Sequence, residues 1–499
     1  MGAGNLILNG IVWSYIGVFL QSILKVTSLA IVARLIEPKE FGLLSYALIC
    51  TGVIERLGQL GVGTALVQRK YLSHKTTYVA RRLNIVLGGL TATGVFLCAE
   101  FFAAFFEQPA LCNILRVLSL GCFLESCAVV PDALLQRKLA FRRIVSADNA
   151  SYLIGMVILC PVLAWQGFGV WALVVSLLLM KLARLVFLHL AAPARGVIGT
   201  FDILRAKELL RIGLGYSLAR ILNCISLQGD NFIVGKMFGV DMLGLYTRGY
   251  QLMTLPAALL GQVYERVMFP AMSKSQDDSP SLNEQFVISI EAMTILTLPA
   301  GLILSLCSFE FVATVFGHRW LDVVPIVSAL SYGVFFRATY KCSDTAVRAV
   351  GAVYRYALRQ AVYSVSVLVG AVVGAYLHGS IGVAWGVVCA VAINYLSLTL
   401  LARSLLRTSW SALLLAHIPG LVLFVWCWLA LNLYLPYIRL GEIGSVREVM
   451  LCFLGLSVIW ISGFFVVYML SLGSVARVSI DFVKSMIFRR CRRDSLCRV

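Results

Sequence analysis

Four ionisable residues late in the chain, Arg337, Lys341, Asp344 and Arg348, recur at intervals of four, three and four inside an apolar stretch. On a helix of 3.6 residues per turn they share one face, which continues past Tyr340. Three cations and one acid in such a row can hold an anion by charge-assisted hydrogen bonds, and a guanidinium can grip phosphate oxygens through two parallel N–H donors. The plainer reading is that Asp344 neutralises Lys341 while Arg348 reaches to a polar boundary. Arg337 has no acid one turn away on its own helix, so the stripe is expected to line a hydrated cavity.

Other charges lie deep in apolar sequence. Lys25 shares a face with Ser14, Gln21 and Ser28. Glu55 and Arg56 are adjacent and so point in different directions. Arg220 and Asp230 lie toward opposite ends of one segment, and Arg248 lies one turn into the next. Glu125 is a further mid-segment acid, and Glu265-Arg266 reads as structural. The expected substrate-binding cations are Lys25, Arg56, Arg220, Arg248, Arg337 and Lys341. Glu55, Asp230 and Asp344 are expected as coupling or structural acids. A charge at mid-bilayer costs roughly 2.5–3.5 kcal/mol on insertion scales. Such groups persist where they face water or pair inside a bundle. A mostly basic interior points to a transporter for a large anionic substrate.

The elements that must hold these residues are membrane spans. The chain has 499 residues, 60% hydrophobic and 13% charged, far from the roughly 25% charged of soluble domains. About fourteen stretches reach the ~20 apolar residues a crossing needs: 8–36, 41–67, 83–106, 111–135, 144–164, 168–191, 209–238, 243–270, 285–308, 322–347, 354–377, 380–402, 411–434 and 448–472. With a cytoplasmic N-terminus, the inner connections and tail, counted with Arg211, Arg355 and Arg359 at the adjoining span ends, hold 26 of the 42 Lys and Arg residues, and the outer connections hold only Lys39, Arg319, Arg439 and Arg447. The positive-inside rule then places both termini, and the connections 68–82, 136–143 and 192–208, in the cytoplasm. The third long connection, 271–284, falls on the same side.

Chemistry motifs are absent. No GxxxxGK[ST], HExxH or GxSxG occurs, and the five histidines are scattered without metal-ligand spacing. No catalytic, cofactor-binding or metal-binding residue is expected, and the chain is not expected to be an enzyme. The fourteen cysteines include no CxxC pair and read as small apolar filler.

Self-similarity divides the chain. Ile31-Val-Ala-Arg34 and Phe41-Gly-Leu43 recur as Ile233-Val-Gly-Lys236 and Leu243-Gly-Leu245, both at an offset of 202 residues. Gly169-Val-Trp-Ala-Leu-Val174 echoes Gly382-Val-Ala-Trp-Gly-Val387. Six spans separate each pair, so the copies run parallel, and substrates bind between such repeats. Expected lobes are 1–200 and 201–405, six helices each, followed by two further helices in 406–475 and a basic cytoplasmic tail, 476–499. The repeat puts Lys25 and Arg34 in one lobe and Arg220 and Lys236 in the equivalent place in the other.

Ala33-Arg-Leu-Ile-Glu-Pro-Lys-Glu-Phe-Gly-Leu43 followed by Gly61-Val-Gly-Thr-Ala-Leu-Val-Gln-Arg69 resembles the opening of bacterial Wzx/WzxC-type polysaccharide flippases. Leu134 to Arg142, Asp230 to Lys236, Leu243 to Tyr246 and Phe269 to Ser273 extend the likeness in order over roughly residues 10–400. The resemblance implies the polysaccharide transporter branch of the multidrug/oligosaccharidyl-lipid/polysaccharide exporter superfamily. The implied fold is an all-α polytopic membrane protein with two pseudo-symmetric six-helix bundles, MATE-like, plus two C-terminal helices. The implied activity is transfer of a polyprenyl-diphosphate-linked oligosaccharide to the outer leaflet of the bacterial cytoplasmic (inner) membrane, for lipopolysaccharide O-antigen or exopolysaccharide synthesis. That family offers no strict site motif, so the site residues above rest on charge and placement. Membrane lipids are expected partners, with a polysaccharide polymerase and a chain-length regulator as candidate protein partners; nucleic acid is not. No cofactor is expected, and the sequence does not choose between proton and sodium coupling. Three other classes remain: a multidrug or cation extruder of the same superfamily, which would favour an acid-lined cavity; a polysaccharide polymerase or ligase, which would present a large outer loop; and a non-transporting scaffold.

Overall fold

The structure is a computed structural model. It describes residues 3–69, 72–138, 140–192, 202–275 and 278–438, and beyond them Gly455, Ile459, Trp460, Ser462 and Gly463. The expected last span, apart from those five helical positions, and the basic tail lie outside the described residues. All regular structure among the described residues is helical. The helices are α1 (Ala3–Leu35), α2 (Pro38–Gln59), α3 (Val62–Gln68), α4 (His74–Phe105), α5 (Ala110–Arg137), α6 (Phe141–Trp165), α7 (Val170–Ala191), α8 (Ile203–Lys274), α9 (Ser279–Leu306), α10 (Ser308–Val315), α11 (His318–Ala349), α12 (Val353–Leu406) and α13 (Trp410–Ile438).

Nine helical stretches among the described residues are long and apolar enough to cross a bilayer. Large apolar side chains such as Leu97 (72% exposed) and Leu433 (72% exposed) point outward. In water that surface would drive aggregation, whereas in hydrocarbon it is solvated.

Local chemistry sets the helix ends. Ser73 caps α4 by accepting from the Thr76 N–H, Asp278 caps α9 through Ser281, and Asp202 accepts from Leu204 and Arg205 at the start of α8. The Ser73 cap starts α4 nine residues before the expected span at 83, so much of the 68–82 connection is helix. Hydropathy marks only the apolar part of a helix, yet Thr76, Val79 and Ala80 are buried in its packing. The expected span 41–67 is interrupted at Leu60-Gly61, where both φ angles are positive. A π turn, Leu153–Leu159, interrupts α6 just before Pro161, which has no N–H to donate.

Two expected helix pairs run on as single elements with one sharp break each. The arms of α8 meet at Gly239, whose φ of 83° suits glycine alone, and those of α12 meet at His378-Gly379. A straight 72-residue helix would be over 100 Å long, more than three times the hydrocarbon thickness, so the break is what returns the chain across the membrane. Expected span 322–347 is composite: a 3-10 turn at His318–Val323, then Val324–Ser331, then Gly333–Ala349.

The chain forms two compact units. One comprises 1–251, 315–326 and 360–387; in it α4, α5 and α3 pack around Leu66, Val79, Leu83, Val130 and Leu209. The other comprises 252–314, 327–359 and 388–499; in it α9 packs on α13 and on the second half of α11 around Phe286, Ile290, Cys342 and Val347.

Candidate functional site

In the second unit the α11 stripe meets an acid from α8. Arg348 donates to Glu265 at 2.6 Å and to both Asp344 oxygens at 3.1 Å. The Lys341 ammonium lies 3.6 Å from Asp344 and 3.8 Å from Glu265, and 5.1 Å from the centre of the Tyr340 ring. Asp344 is only 2% exposed. The stripe is therefore not a bare row of cations: two acids and two bases close a neutral quartet. Glu265, read from sequence as merely structural, completes it from a helix that sequence spacing cannot connect to α11. Arg337 is half-buried on the same helix. Replacing Glu265 with Gln leaves two cations to share Asp344, and the expected loss is about 1–3 kcal/mol. Thermal unfolding of the purified protein checks this, and the double variant Glu265→Gln/Lys341→Gln, which removes one charge of each sign, should recover part of it. An unchanged midpoint for the single variant would mean the quartet contributes nothing.

The first unit holds a second network, around Arg184 on α7. Its Nε donates to Asp148 at 2.7 Å, its Nη2 to Asp132 at 2.9 Å, and its Nη1 lies 3.6 Å from Glu125. Beside it Lys181 is ion-paired with Glu55. The hub borders a cavity of about 360 Å³ lined also by Thr64 and Gln136. Among the described residues of this network Glu55, Glu125, Asp132 and Asp148 outnumber Lys181 and Arg184, because acids far apart in sequence are gathered on one guanidinium.

A third constellation joins the two sequence echoes within the first unit. The Ser45 and Thr247 hydroxyls lie 3.1 Å apart, and these positions differ by 202 residues. A Cβ on Gly42 would overlap the Val240 carbonyl oxygen, and one on Gly244 would overlap that of Pro38. Pro38 and Val240 are again 202 apart, so the contact is reciprocal. Tyr46 donates to the Gly235 carbonyl at 2.7 Å, and the Trp320 indole donates to that of Ala33, the repeat-equivalent of Gly235, also at 2.7 Å. The Phe41 ring lies between Trp320, 5.4 Å away by ring centres, and the Arg248 guanidinium at 4.2 Å. Lys236 donates to the Phe105 carbonyl at 2.7 Å and lies 3.6 Å from Glu107. It therefore clamps α8 to the end of α4.

The remaining expected residues fall as follows. Arg248, half-buried, hydrogen-bonds Gln251, and its interior Nε has no hydrogen-bond partner among the described residues. It sits over Phe41 rather than reaching outward. Asp230 is fully buried and accepts from the Tyr246 hydroxyl at 3.1 Å. The side chains of Arg56 (α2) and Arg220 (α8) lie outside the described residues. The structure thus brings Glu55 to the Arg184 network, Arg248 to the seam, and Lys341 and Asp344 into the quartet, while Lys25 is half-buried on α1. Sequence reasoning missed Lys181, Arg184, Asp132, Asp148 and Tyr46. The only advance signal was the 202-residue echo, which marks the neighbourhood of Tyr46.

With this geometry in hand, comparison with known proteins gives the class. A family model described as "Polysaccharide biosynthesis protein" matches residues 31–325. The match covers more than half the chain, so the chain belongs to that family. Among curated relatives, the "Lipopolysaccharide biosynthesis protein WzxC" of Escherichia coli (strain K12) is 25% identical over 416 residues, covering 82% of this chain and 83% of that protein. The "Succinoglycan biosynthesis transport protein ExoT" of Rhizobium meliloti (strain 1021) is 26% identical over 313 residues, covering 62% of this chain and 63% of that protein. Among solved structures, the lipid II flippase MurJ in an inward closed conformation superposes with a TM-score of 0.75 at 14% identity, over 93% of this chain and 100% of that one. An inward-facing multidrug resistance MATE family transporter superposes with a TM-score of 0.64 at 16% identity, over 78% and 94%. The fold is therefore the two-bundle, all-helical, multi-pass membrane transporter fold expected from the sequence.

Proposed function

We propose that this chain carries a polyprenyl-diphosphate-linked oligosaccharide across the bacterial cytoplasmic membrane, from inner to outer leaflet, for surface polysaccharide synthesis. The observation that carries the reading beyond family membership is Arg248, an inward-held guanidinium with an unfilled donor. A diphosphate entering hydrocarbon must exchange its water for such donors. The names of WzxC and of the lipid II flippase support the same substrate class. Lobes 1–200 and 201–405 would rock to open a central cavity to each leaflet in turn, with both termini in the cytoplasm. Asp230, buried against Tyr246, is assigned to coupling by proton or sodium. A polymerase and a chain-length regulator would receive the product outside.

The test is flipping of a lipid-linked oligosaccharide by the full chain in proteoliposomes. Arg248→Ala should slow it about 10- to 100-fold, the worth of a hydrogen bond to a charged group, with accumulation in the membrane unchanged. Arg248→Lys should be milder. Wild-type transport by Arg248→Ala would remove this residue from the site. The acid-rich Arg184 network favours a second reading, a cation exporter. Resistance to lipophilic cations conferred by the chain, with no flipping, would select it.

A further inference from the structure

Two adjoining cavities run along α6, away from the charged networks. One, of about 780 Å³, is bordered by Arg142, Arg143, Phe187 and Leu190. The other, of about 310 Å³, is bordered by Leu20, Leu24 and Leu153. They share Ser146 and Ala150 and so make one groove, basic at the loop end and apolar along the helix. Both arginines are exposed, and Leu190 is 73% exposed. Among the described residues the walls come from α1, α6 and α7. Those helices are fastened to one another, by Asn149 to the Gly17 carbonyl at 3.3 Å, by Ser28 to the Met156 carbonyl at 2.9 Å and by Arg143 to the Ala191 carbonyl at 2.8 Å.

We propose that this groove is a resident site for an anionic phospholipid of the leaflet that faces the basic loops. The ligand it complements is an amphiphile with a phosphate head and an aliphatic tail. Guanidinium groups at a helix end attract anionic headgroups, and the apolar trough gains from each buried methylene. The choice of a bilayer phospholipid over transported cargo follows from the walls. Cargo must touch surfaces that part during passage, whereas these three helices are tied together, with no wall from the other sequence repeat among the described residues. The head lies against Arg142 and Arg143, and a tail passes Ser146 toward Leu20 and Leu153.

Retention of phosphatidylglycerol and of phosphatidylcholine by the full-length protein, measured by native mass spectrometry from a mild detergent, tests the site. Wild type is expected to retain phosphatidylglycerol preferentially. Arg142→Gln/Arg143→Gln should retain it about 30-fold less, as expected for two basic residues at a lipid headgroup, and the double Lys variant should keep it. Ser146→Trp, which leaves both arginines but blocks the trough, should also lose it. Equal retention of the two lipids by wild type would overturn the proposal without any variant having to fold. Equal phosphatidylglycerol retention by wild type and the double Gln variant would overturn it too. Displacement of phosphatidylglycerol by lipid-linked oligosaccharide would make the groove a cargo site and reject the resident-lipid assignment. None of these readouts depends on transport.

Discussion

Replacing Arg184 with Leu is expected to abolish accumulation of folded protein. The guanidinium is the shared cation of Glu125, Asp132 and Asp148. Without it three carboxylates face one another among packed helices. The network is half-buried, so removing its cation costs a share of the roughly 3–5 kcal/mol lost from a fully buried one, still a large part of the 5–15 kcal/mol that holds a typical protein together. The measurement is the yield of monodisperse protein and its thermal midpoint in detergent. The triple variant Arg184→Leu/Asp132→Asn/Asp148→Asn removes two of the stranded charges and should recover much of the loss. A wild-type midpoint for the single variant would show that the network is not what holds these helices.

The second large effect is expected at the seam between the repeats. Gly244→Ala places a methyl where the Pro38 carbonyl oxygen lies, and Gly42→Ala does the same against Val240. Backbone cannot yield as a flexible side chain can, so the two strands of the seam must separate. Overpacking costs of 1–3 kcal/mol correspond to a change of about 5- to 150-fold in the ratio of closed to open seam. Ser45→Cys/Thr247→Cys in a cysteine-free background reports that ratio, because the parent hydroxyls are 3.1 Å apart. Oxidation should cross-link this pair readily, and adding Gly244→Ala should suppress the link. The cross-linked protein should stop transporting and resume on reduction. Transport that continues through the cross-link would show that the seam stays closed throughout the cycle.

Much of this was legible in the sequence, for identifiable reasons. Hydropathy reports burial in lipid, so the helices were expected where the structure has them. A duplicated local motif survives as an offset, so the neighbourhood of Gly42 and Gly244 was marked. Charge networks leave no such trace. Arg184 finds Asp148 and Asp132 at separations of 36 and 52 residues, and Arg348 finds Glu265 at 83. Spacing along one helix cannot foresee an acid from another. For that reason Asp344 was the one partner that spacing offered Lys341, which is shared between Asp344 and Glu265. Lys236 was placed by the repeat only as the counterpart of Arg34, and nothing in the repeat foresees its tie between α8 and α4. The helix starts were misjudged where a polar cap such as Ser73 begins a helix before its apolar part does.

The reciprocity of the seam has a consequence for how such a chain can vary. A contact in which position i meets j′ while j meets i′ is the isologous pattern of a two-fold homodimer, here enclosed within one polypeptide. In a true homodimer every substitution is entered twice, and a residue on the axis must tolerate its own copy. Within one chain the two sides are free to differ, and they do. Serine faces threonine across the axis, and the two equivalent carbonyls are satisfied by different donors, a tyrosine and a tryptophan. The glycines have stayed alike where the backbones meet, because neither side has room there to diverge.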